Sequence, residues 1–166
     1  MTAPELGAWQ AFYSATAESA ATLAGLVMVA VSVNVQKIIA HKHLPARAFG
    51  TICGLMLALV MALLGLIPQT LRAYSVEIDI AGAVSWVLFV ITAFQVIAGH
   101  IRTGRPRHET VIGSALGLSQ VLPVTVGAAM LSLGHVEGLY WVAATMAAAL
   151  VVSVINAWVL LVEILR

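Results

Sequence analysis

Five long apolar runs, separated by short polar breaks, limit what this chain can fold into. They occupy residues 9–39, 47–71, 78–101, 110–133 and 138–165. A helix that crosses the hydrocarbon core needs about 20 mostly apolar residues, and each run supplies them. The runs are continuous and rich in Ala, whereas the strands of a transmembrane barrel would alternate over about ten residues. The sequence therefore predicts an all-α fold: an integral membrane bundle of five transmembrane helices, one domain over residues 1–166.

Composition agrees. Hydrophobic residues make up 61% of the chain and charged residues 9%. Ordinary soluble domains run at roughly 45–50% and about 25%, so too few charges are present to coat a water-exposed surface. A soluble enzyme, a nucleic-acid binder and a disordered tail are excluded on that ground. The net charge of +1 predicts no polyanionic partner. The single cysteine, Cys53, allows neither an intramolecular disulfide nor a cysteine zinc site. Residues 1–7 lack the positive region of a secretory signal, so none is expected.

The breaks fall at residues 41–45, 72–79, 102–108 and 134–138, and links this short make sequence neighbours antiparallel. Basic residues then orient the bundle. Lys37, Lys42, Arg47, Arg102, Arg105, Arg107 and Arg166 share one side, and Arg72 is alone on the other. The expected topology has the N-terminus outside and the C-terminus cytoplasmic. Trp9, Tyr13, Tyr74, Tyr140 and Trp141 fall at the outer boundary, where an interfacial aromatic belt is expected. An odd number of spans excludes a simple two-half inverted repeat.

Helical periodicity sorts small and polar residues onto faces. In the first span Ser14, Glu18, Thr22, Gly25, Ser32 and Gln36 lie within about 80° of arc at the helical period. The ladders Ala17, Ala21, Gly25 and Gly50, Gly54, Ala58, with Gly113 and Gly117 in the fourth span, are the small-residue surfaces through which membrane helices pack, within a subunit or between subunits. This predicts a homo-oligomer.

Glu18 is the most informative single residue. A carboxylate within a span faces a protein interior or water, and so marks an ion site or a pore-lining acid. The structural alternative ties it to Arg72 or Tyr74. Gln120 and Pro123 make either a polar notch or a satisfied kink in the fourth span. Asn34, Gln95 and Asn156 ring an inner vestibule or pair with one another across helices. His41, His43, His100, His108 and His135 have no Cys or paired carboxylate beside them, so no metal site is expected, and no haem or other cofactor. The signatures of metalloproteases, serine hydrolases, dithiol enzymes and phosphate loops are absent, so no enzyme is expected.

The two ends of the chain resemble a known family. The first span carries Phe12-Tyr13, then residues 20–26 (AATLAGL) and 31–34 (VSVN), followed by residues 44–48 (LPARA). The last carries residues 138–142 (GLYWV) and 156–166 (NAWVLLVEILR). Together these stretches look like a family of small bacterial membrane proteins, common in actinobacteria, that goes under the label "modulator of FtsH protease". The resemblance implies a multi-pass protein of the bacterial inner (plasma) membrane, with Asn34, Asn156, Trp158 and Glu163 as family positions.

Two functions follow as expectations. The first is an ion channel or permeation protein lined by Glu18, Thr22, Ser32, Gln36, Gln120 and Asn156, with Glu18 in the outer part of the pathway. A ring of acids favours cations. The second is a non-catalytic regulatory or binding subunit of a membrane complex, such as a membrane-protease modulator. The expected partners are the lipid bilayer, further copies of the chain, ions, and in the second case a protease complex; no nucleic acid is among them.

Overall fold

The computed structural model of the chain describes residues 4–40, 44–103 and 107–165. The described residues form helices and no strand. In order these are α1 (Pro4–Gly7), α2 (Gln10–Val33), α3 (Val35–Ala40), α4 (Leu44–Leu66), α5 (Leu71–Thr103), α6 (Arg107–Ser132) and α7 (Gly138–Leu165). Four stretches are long and apolar enough to cross a membrane: Gln10–Val33, Ala48–Leu66, Leu71–Ile91 and Gly138–Trp158. Val121–Ser132 adds a shorter apolar helical stretch.

Two boundaries differ from those expected. The charged residues Arg72, Glu77 and Asp79 do not interrupt the chain; they lie within the first turns of α5, which begins at Leu71. The break falls earlier, at residues 67–70, because Pro68 cannot continue a helix while charged side chains can. The Gln69 side-chain amide donates to the Leu64 carbonyl at 2.8 Å, satisfying one of the acceptors left at the end of α4. The first run is also not one helix. It breaks at Asn34, whose side-chain amide donates to the Ala30 carbonyl at 3.0 Å. Asn competes in this way with the backbone ladder. Pro45, by contrast, sits in the first turn of α4, where a missing N–H costs nothing.

The chain divides into two compact units, Met1–Thr70 with Met146–Arg166, and Leu71–Thr145. In the first unit α2 packs on α4. The buried side of α4 is a heptad-like stripe of Ala48, Thr51, Leu55, Ala58, Ala62 and Gly65. The buried side of α2 comprises Tyr13, Thr16, Ala17, Ala20 and Val27. The contact is tight at one end: a Cβ on Gly65 would lie 2.6 Å from the Tyr13 ring, so only glycine lets the ring lie against α4. Within the same unit the Ser153 hydroxyl of α7 donates to the Thr51 carbonyl at 3.3 Å, with both residues buried.

In the second unit α5 and α6 run antiparallel and are tied by side chains. The Ser132 hydroxyl donates to the Asp79 carboxylate at 2.8 Å, and the Trp86 indole N–H to the Thr125 hydroxyl at 2.9 Å. The turn from α6 to α7 is a Schellman motif. Gly134 N–H meets the Leu131 carbonyl at 2.9 Å and His135 N–H meets the Met130 carbonyl at 2.9 Å. Gly134 holds φ at +86°, a conformation that side chains other than glycine rarely take. Beyond the turn the backbones of α6 and α7 touch, since a Cβ on Gly138 would lie 2.7 Å from the Gly127 carbonyl.

The aromatic belt needs one correction. Tyr13 and Tyr74 are buried at 1% and 0% exposure, so neither ring faces lipid headgroups from the surface of the chain. Trp9 is half-buried, and Tyr140 and Trp141 are exposed. Both buried tyrosines occupy the core-facing stripe of their helix, and that register decides their direction.

Candidate functional site: the outward face of α2

The polar residues of the first span lie opposite the packing face of their helix. At 100° per residue, Tyr13, Ala17, Ala20 and Val27 centre on one side of α2, and Glu18, Thr22, Gly25 and Ser32 on the other. Glu18, Thr22, Gly25 and Ser32 are all exposed, as is Gln36 in α3, while Ser14 is half-buried. From Glu18 to Ser32 the face extends about 21 Å at the helical rise of 1.5 Å per residue, against a hydrocarbon core of about 30 Å.

The chemistry along this face is sparse and specific. The Thr22 hydroxyl donates to the Glu18 carbonyl at 2.7 Å, which leaves its oxygen free to accept a further bond. Among the described residues the Glu18 carboxylate has no hydrogen-bond or ion-pair partner. Nothing stands within 4 Å of a Cβ built on Gly25. In the ladder Ala17, Ala21, Gly25, only Ala17 is buried. In the ladder of α4, Gly54 and Ala58 are buried, while Gly50 is half-buried with open space around its Cα.

The other sequence candidates are dispersed. Gly117 meets the Phe89 ring, 2.6 Å from a built Cβ, and so serves the packing of α5 on α6. Asn156 is half-buried in α7 and engaged by a neighbour. Lys37 is exposed and also engaged. The side chains of Gln95, Gly113, Gln120, Arg47, Arg102, Arg107 and Glu163 lie outside the described residues, as do Lys42, Arg105, His41, His43 and Arg166 altogether. Arg72 and Tyr74 belong to the unit that does not contain Glu18.

Sequence reasoning missed the two side-chain ties of the second unit, Ser132 to Asp79 and Trp86 to Thr125. A signal existed. Asp79 and Trp86 are seven residues apart in one helix, as are Thr125 and Ser132 in the next, so two antiparallel helices bring both pairs together. Among the described residues no three His, Cys, Asp or Glu side chains converge as metal ligands. No family model, no curated protein and no solved structure matches this chain.

Proposed function

We propose that the chain is a five-span, homo-oligomeric permeation protein of the bacterial inner membrane. The α2 helices of several copies line an ion pathway with Glu18 in its outer part. The fifth span is the run at 110–133, and the distribution of Lys and Arg puts the N-terminus outside and the C-terminus in the cytoplasm. The observation that carries this reading is the exposure of Glu18, Thr22, Gly25 and Ser32 on the side of α2 turned away from its own packing contacts. A carboxylate left against hydrocarbon at mid-helix costs about 3 kcal/mol on insertion scales. Surrounding the face with water and with copies of itself removes that cost. Glu18 acts there as a fixed acid, and Thr22, Ser32 and Gln36 offer oxygen ligands along the wall.

The open space over Gly25 favours a second reading. A helix of another protein docked there would make this chain a regulatory subunit, in keeping with its resemblance to the family named for modulation of a membrane protease. Flux from liposomes holding the purified protein, measured beside Glu18→Gln with native mass spectrometry of the same sample, separates the two. The permeation reading expects a defined oligomer and a cation flux that Glu18→Gln reduces or makes less selective. An intact oligomer, or a monomer, without flux under varied ions, pH and voltage supports the regulatory reading.

A further inference from the structure

α7 is polar on its inward side and apolar on its outward side. Thr145 and Ser153 are buried, at 0% and 2% exposure. The Thr145 hydroxyl donates to the Trp141 carbonyl at 3.1 Å, and the Ser153 hydroxyl to the Thr51 carbonyl of α4. On the other side Tyr140, Ala144, Ala147, Val151, Val154 and Trp158 are exposed, and they lie within about 80° of arc at the helical period. Between the rings at its two ends this stripe carries no polar side chain. A helix that meets water turns its polar residues outward. α7 does the reverse, and its stripe also contrasts with the outward face of α2, which carries Glu18, Thr22 and Ser32.

The ends of the stripe fix a length. Tyr140 and Trp158 are both 68% exposed. They stand 18 residues apart in one helix, about 27 Å at the helical rise of 1.5 Å per residue. The hydrocarbon core of a bilayer is about 30 Å thick, and Tyr and Trp collect at its two boundaries, where an amphipathic ring meets acyl chains and headgroups together. The nearest charged residues beyond the rings are Glu137 and Glu163, with none between them. They are 26 residues apart, about 39 Å at the same rise, against about 40–45 Å for a bilayer with its headgroups. Membrane helices pack on one another through small residues. On this stripe only Ala144 and Ala147 are small, and large rings close both ends.

We propose that lipid covers the stripe of α7 from Tyr140 to Trp158, with Tyr140 at one boundary of the hydrocarbon core and Trp158 at the other, so that α7 sets the depth at which the chain sits in the bilayer. A pathway along α2 is a separate claim, and the test reads no flux. In the full chain with Cys53→Ser, Tyr140, Ala147, Val151, Val154, Trp158 and the exposed Val162 are replaced singly by Cys, spin-labelled and reconstituted in liposomes. Collisions of each label are measured with oxygen, which concentrates in hydrocarbon, and with a neutral nickel chelate, which stays in water. Lipid cover predicts frequent oxygen collisions along the stripe. The oxygen-to-nickel ratio should peak at 147 and 151, fall towards 140 and 158, and be lower still at 162. Few collisions with either reagent at 147, 151 and 154 would mean that a second copy or another helix covers the stripe, and would overturn the proposal. Nickel collisions as frequent at 147, 151 and 154 as at 162 would mean that water reaches the stripe, and would overturn it as well. A ratio at 162 equal to that at 151 would carry the boundary past Trp158 and overturn the assigned depth.

Discussion

A carboxylate on the side of a helix turned away from its packing partner is tolerable in a bilayer only where water or protein meets it. Glu18 holds that position in α2, and its chemistry was legible in the sequence because the polar residues recur at the helical period. What the sequence did not decide is whether this face or its opposite meets the rest of the chain. Tyr13 decided it: the ring needs the bare Cα of Gly65, and its placement there turns Glu18 outward. Two glycine substitutions separate these roles. Gly65→Ala should destabilise the protein by about 1–3 kcal/mol, because the Tyr13 ring has to move. Gly25→Ala should leave stability unchanged or raise it by up to about 1 kcal/mol, because the added methyl meets open space and helix propensity rises. Thermal unfolding of both in the same detergent checks the contrast. Glu18→Gln should stay within about 0.5 kcal/mol of the parent by the same measurement, as expected for a site outside the packed core.

At the scale of the elements, hydropathy located the helices better than it located their ends. The last helix begins at Gly138 as expected, because the turn before it is set by Gly134 in a conformation reserved for glycine. The charges at residues 72–79 do not mark the boundary between α4 and α5: Pro68 is the stronger stop, and Arg72, Glu77 and Asp79 continue a helix without difficulty. The break at Asn34 lies inside an unbroken apolar run, where hydropathy gives no sign of a side-chain amide that shares the Ala30 carbonyl with its own backbone N–H. Replacing Gly134 by Ala should cost about 1–2 kcal/mol through backbone strain alone, read as a lowered midpoint of unfolding. Trp86→Phe should cost about 0.6 kcal/mol, the typical value of an interhelical hydrogen bond in a membrane, with the edge-on packing of the ring at position 86 against Phe89 retained.

For the molecule as a whole, the apolar runs and the scarcity of charge were enough to indicate membrane helices, and four stretches meet the length and hydropathy for crossing. Function was less legible, since no catalytic motif marks a site and the candidate residues come together only as one outward face. Thiol scanning along α2 tests the central claim most directly. In a Cys53→Ser background, Thr22, Gly25 and Ser32 are replaced singly by Cys, as are Leu26 and Met28, exposed on either flank of the face. Each variant is exposed in native membranes to a membrane-impermeant thiol reagent. A water-filled pathway along α2 predicts reaction at positions 22, 25 and 32, weakened by permeating cations, and little at 26 and 28. Positions 22, 25 and 32 as unreactive as 26 and 28 would mean that lipid or a docked helix covers the face, and would contradict the pathway.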